Sequence, residues 1–177
     1  MRALGPGSVS SFLKIILDVV FVALVIGVTA AGLLTLAALL FTFNPELLSG
    51  VEITVAGGGE ITNRGPVIAG GLAAAGLYMG GVLAIVAGLR RIFTTLTAGD
   101  PFDPENVRRL RAVGLILAGL ELGRYAFWLF SAWALPGGGG VRPPLSLTAW
   151  FSVLVVFVLA EVFREGARLR REAELTI

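Results

Sequence analysis

Four long apolar runs divide the chain, at roughly residues 12 to 43, 66 to 89, 112 to 135 and 145 to 163. Each approaches or exceeds the ~20 residues that a helix rising 1.5 Å per residue needs to cross ~30 Å of hydrocarbon. Lipid permits only structures whose backbone polar groups are satisfied internally, so runs of this length are expected to be helices. With 56% hydrophobic and 15% charged residues, too little polar side chain remains to cover a water-soluble globule. The expected fold class is all-α: an integral membrane four-helix bundle forming one domain over residues 1–177.

The basic residues set the expected orientation. Arg2 and Lys14 precede the first run, Arg64 stands alone in the first gap, and Arg90, Arg91, Arg108, Arg109 and Arg111 fill the second. Arg142 is alone in the third gap, whereas Arg164, Arg168, Arg170 and Arg171 follow the fourth run. Short loops rich in Lys and Arg stay cytoplasmic, so both termini, the loop 90–111 and a tail helix 164–177 are expected inside. Trp133 and Trp150 then fall at the outer interface, where indole rings are favoured. A cleavable leader is not expected, because the first apolar stretch is about twice the length of a signal-peptide core. Lys14 and Asp18, four apart, are expected to neutralise each other at the inner end of span one.

The chain has no cysteine and no histidine. Disulfides, thiol nucleophiles, imidazole bases and the commonest zinc and haem ligands are therefore absent from the sequence, and no cofactor or metal is expected. Its formal charge is only +2 and its cations flank membrane runs, which fits anionic lipid headgroups and not direct nucleic-acid binding. No Ser/His or paired-carboxylate arrangement suits catalysis, so a non-enzymatic protein is expected.

Several local patterns carry further expectations. Residues 51–55 alternate before three glycines, which suits either a small β-hairpin in the first outer loop or an irregular Gly-rich connection. Gly76, Gly80, Ala84 and Gly88 recur every four residues and predict a stripe where another helix approaches closely, within the chain or in a homo-oligomer. In the inner loop, Gly99 suits a helix end and Pro101 stops the helix. Asp103 followed by Pro104 and Glu105 reads as an N-cap with proline in the first turn. Phe102 is left as an apolar ring in a short loop, tucked under the helices or dipped among headgroups. In the tail, opposite charges three and four apart support a solvated helix, and Gly166 implies a bend or a close contact.

Two polar residues lie inside span three. Glu121 and Arg124 are about nine and twelve residues into the run, ~14 to 18 Å deep. Charges at such depth cost ~2.5 to 3.5 kcal/mol, so they face the protein interior and pair. They are expected as a structural ion pair, with Thr29 and Thr35 as additional partners. The alternative is a small oligomeric transporter or ion-pathway protein that uses them.

The inner segment Leu96, Gly99, Pro101, Phe102, Asn106, Leu110 and the ending Glu165, Gly166, Leu169, Glu172, Glu174, Leu175, Thr176, Ile177 resemble the YoaS-like family of small bacterial four-span membrane proteins. The resemblance implies a multi-pass protein of the bacterial cytoplasmic membrane with no assigned activity. Relatives are often encoded beside a small helix-turn-helix protein, so it also implies a membrane partner or anchor for a cytoplasmic DNA-binding regulator. The sites it would use are Gly99, Pro101, Phe102 and Asn106 in the loop and Glu165 to Ile177 in the tail.

Overall fold

The computed structural model describes residues 9–43, 64–98, 102–134 and 142–175. Among them the protein is all-helical, with four helices: α1 (Val9–Thr42), α2 (Arg64–Thr97), α3 (Pro104–Ala134) and α4 (Leu147–Glu174). No strand occurs among the described residues, and the alternating segment 51–55 lies outside them. Each helix contains a stretch long and apolar enough to cross a membrane: Phe12–Thr42, Pro66–Thr97, Pro104–Trp133 and Leu147–Ala173.

The helices outrun the apolar runs that predict them. At 1.5 Å per residue the 34 residues of α2 measure about 51 Å, beyond the ~30 Å hydrocarbon core. The tail helix expected from residue 164 onward is part of α4, which runs unbroken for 28 residues. Side chains turned outward are overwhelmingly apolar, including Leu33, Leu36 and Leu40 on α1 and Phe151 and Leu154 on α4. A surface of that extent is unfavourable in water and ordinary in lipid.

Hydroxyl groups inside the apolar helices are satisfied within their own backbone. Thr29 donates to the Val25 carbonyl at 2.8 Å and Thr35 to that of Ala31 at 2.7 Å. These threonines are therefore not the partners of Glu121 and Arg124 that the sequence suggests: helix-internal bonding was available four residues away. At the end of α2, Thr94, Thr95 and Thr97 likewise donate to backbone carbonyls three or four residues earlier, those of Arg91, Ile92 and Phe93.

The caps follow the sequence. The Asp103 carboxylate accepts from the Glu105 N–H at 2.8 Å, and Pro104 occupies the first helical position, where its missing N–H costs nothing. Ser146 caps α4, accepting from the Ala149 N–H at 3.2 Å.

The chain divides into two compact units. The first comprises residues up to Leu24, Gly81–Gly119 and Ser146–Ile177; the second comprises Val25–Gly80 and Leu120–Leu145. The first unit has a core of Ile92 from α2, Leu110 from α3 and Ala160 from α4, against which Leu96 and Phe163 pack. In the second, α1 and α2 meet at Gly76, where an added Cβ would lie 3.4 Å from the Ala31 Cβ, and at Gly27 against Met79.

Candidate functional site

The two segments singled out in the sequence meet in the first unit. Phe102 lies on Gly166 of α4: a Cβ added to that glycine would fall 2.5 Å from Cδ1 of the ring and 3.2 Å from Cζ. No methyl group fits there without displacing the ring, which explains a glycine in a helix that would otherwise favour alanine. Phe163, one turn earlier on α4, holds the other side of Phe102 with ring centroids 5.9 Å apart at 57°. Of the two sequence alternatives for Phe102, the tucked one is observed, and Gly166 makes a close contact.

Four residues beyond Phe102, Asn106 is completely buried. Its amide nitrogen donates to the Thr95 hydroxyl at 2.7 Å, and its carbonyl oxygen accepts from Arg109 at 3.1 Å. The Thr95 hydroxyl has a single hydrogen, and the Ile92 carbonyl at 2.8 Å takes it, so the amide orientation is fixed. Asn106 thus ties the end of α2 to the start of α3 around the intervening connection. Gly99 and Pro101 of the same motif, like Thr176 and Ile177 of the tail, lie outside the described residues.

Beside this junction, a groove of about 480 Å³ runs between the first turn of α3 and the tail of α4. Pro104, Val107 and Ala167 contribute its apolar lining, with Arg164, Arg168 and Arg171 among the charged residues at its rim. Glu165 and Glu172 both hold Arg168, at 2.9 and 3.2 Å, and Glu161 holds Arg164. Arg171 has no ion pair among the described residues. Leu169 points outward and Leu175 reaches the groove.

The polar pair of span three lies in the second unit. Glu121 is 9% exposed, and one of its carboxylate oxygens accepts from Arg124 at 2.6 Å and from the Tyr125 hydroxyl at 2.8 Å. Arg124 also donates to the Pro144 carbonyl at 3.0 Å, and Arg142 sits over the Trp128 ring at 5.4 Å. Residues 142–144 are thereby fastened to α3. Tyr125 and Pro144 were not selected from the sequence; Tyr125, four residues from Glu121, was within reach of the helix-spacing rule.

Within the chain, the members of the small-residue stripe have different surroundings. Gly76 meets Ala31, and a Cβ on Gly88 would lie 3.1 Å from Val113, but around Gly80 there is open space and Ala84 is exposed. Successive members four residues apart turn by ~40° about the helix, so Gly76 and Gly88 point ~120° apart.

At the end of α1 the expected Lys14–Asp18 pair is replaced by a bond between helices: Asp18 accepts from the Arg90 Nε at 2.6 Å. Arg90 also lies over the Phe21 ring at 4.2 Å. A fixed guanidinium with ring and carboxylate on either side outcompetes a long lysine chain that would have to be ordered for one exposed contact. Among the described residues no three potential metal-binding side chains converge.

Four membrane-crossing helices and apolar outward surfaces define a multi-pass membrane protein. The chain belongs to the family described as Protein of unknown function (DUF2975), which matches residues 60–177 and so takes in α2, α3, α4 and both motif segments. No curated protein and no solved structure matches it.

Proposed function

We propose that this protein is a non-enzymatic anchor in the bacterial cytoplasmic membrane that docks a soluble helix-turn-helix regulator on its inner face. The observation carrying this reading is the convergence of two segments whose contacting residues, Phe102 and Gly166, are 64 positions apart in sequence. Phe102 seats on Gly166, and the groove beside them is framed by Pro104, Val107 and the arginines of α4. An apolar floor with a cationic rim suits an amphipathic helix bearing acidic residues. The narrower YoaS-like assignment agrees with this reading, and the arginine asymmetry supports a cytoplasmic position for the groove.

Transport through Glu121 is the weaker reading, because one carboxylate oxygen already serves both Arg124 and Tyr125. The absence of cysteine makes site-directed crosslinking direct. A crosslinker attached at Leu175→Cys, an exposed position on the groove, should capture the co-expressed helix-turn-helix protein, and one at Leu154→Cys should not. Equal capture at both positions, or none at Leu175, refutes the anchor.

A further inference from the structure

We propose that α1 and α2 form a saturable binding site for a phosphate ester, occupied in the membrane by the headgroup of an anionic phospholipid. The site is a cavity of about 300 Å³ in the first unit, at the lower end of the range for small-molecule pockets. Lys14, Asp18 and Phe21 line it from α1, and Arg90, Arg91 and Thr94 from α2.

The charges do not cancel. Three cations face one carboxylate, and that carboxylate is committed to the Arg90 Nε at 2.6 Å. Lys14 and Arg91 have no ion pair among the described residues, so both retain their full complement of donors for a ligand. Arg90 is fixed from two sides, by Asp18 and by the face of Phe21. Its terminal nitrogens therefore face a ligand without further loss of side-chain freedom, the condition under which an arginine binds phosphate oxygens well. Asp18 orients a cation here more than it neutralises the cavity.

The site is also graded from polar to apolar. Antiparallel packing brings Lys14 level with Thr94 and Asp18 with Arg90, while Phe21 and Ala87 lie about a turn deeper along their helices. Cationic donors thus stand just past the end of the apolar run of α2, at headgroup depth, and apolar groups lie on the hydrocarbon side. A phosphodiester with acyl chains has this same division; a free phosphate uses only the upper half. General attraction of cations to anionic membranes is diffuse and additive, worth about fivefold per charge, whereas this geometry makes binding stoichiometric.

The test uses the full chain in neutral detergent, with phosphatidylglycerol, phosphatidylcholine of the same acyl chains and glycerol 3-phosphate as probes, read by native mass spectrometry. Saturable uptake of phosphatidylglycerol but not phosphatidylcholine is expected. The Lys14→Gln/Arg91→Gln variant should lose about tenfold or more in affinity, while Arg108→Gln/Arg168→Gln, which removes equal charge elsewhere, should change it less than about twofold. Lys14→Arg/Arg91→Lys should restore binding, which separates loss of charge from misfolding. Weak binding of glycerol 3-phosphate identifies the lipid as the ligand, whereas tight binding sensitive to the same variant identifies a soluble phosphate ester at the same site. Absence of saturable binding by either anion, or equal loss in the control variant, overturns the proposal.

Discussion

Replacing Gly166 with alanine sets two opposed effects of known size against each other at one atom. In a helix interior the change gains about 1 kcal/mol, because glycine gives up more backbone freedom than alanine. The new methyl, however, would fall 2.5 Å from Phe102 Cδ1, and Phe163 stands behind that ring. Overpacking of this kind costs about 1 to 3 kcal/mol. Phe102 is 37% exposed, so it has an outward path and the cost belongs in the lower part of that range. Gly166→Ala should therefore lower stability by about 0 to 1 kcal/mol in the native background. In a Phe102→Ala background the clash is gone and the same change should raise stability by about 1 kcal/mol. The sign reversal, a coupling of about 1 to 2 kcal/mol, corresponds to about 2 to 8 °C in Tm for a chain of this size. Thermal unfolding of the four purified proteins at one heating rate, followed by circular dichroism, measures it. An equal rise in Tm on Gly166→Ala in both backgrounds would show that Phe102 does not sit on α4 and would remove the main support for a composite docking surface.

Asn106→Leu should destabilise by about 2 to 3 kcal/mol in denaturant titration, since the bonds to Thr95 and Arg109 are lost from a fully buried position. Gly88→Leu and Gly114→Leu should each lower Tm, because their Cβ positions lie 3.1 Å from Val113 and Phe157, whereas Gly80→Leu should leave it nearly unchanged. A drop at Gly80 with a change in oligomeric state would instead mark that face as a contact between copies. Glu121→Gln should lower Tm more than Glu121→Gln/Arg124→Gln, which removes both members of the pair. A stable double variant with abolished solute flux in vesicles would favour transport. For topology, an impermeant reagent on intact cells should label Gly138→Cys and spare Gly99→Cys.

The helices were legible because their signals are local: unbroken apolar runs, an Asp-Pro start at 103 and 104, and alternating charge in the tail. The expected tail pairs also form, Arg168 with Glu165 and Glu172, because three- and four-residue spacings fix their separation. What the sequence withheld depends on which helices become neighbours. Asp18 had Lys14 one turn away, yet its partner is Arg90, 72 residues distant. The composition of residues 99–106 leaves open whether Phe102 faces lipid or protein; the bare backbone at Gly166 decides it. The members of the glycine stripe meet different neighbours for a geometric reason, since a four-residue repeat drifts around a helix of 3.6 residues per turn.

The continuity of α4 makes residue count a structural parameter in its own right. One unbroken helix carries both Ala160, buried in the core, and Gly166, the seat for Phe102. The angular phase between those two contacts is set solely by their offset of six positions along the helix. Inserting one residue between them would turn everything beyond by ~100° and swing the Phe102 seat and the arginine rim away from α3. An insertion of four would leave them only ~40° out of phase, although about 6 Å further along the axis. Tolerance of length changes in this stretch should therefore follow the helical period instead of declining smoothly with insert size, unlike in a flexible tether.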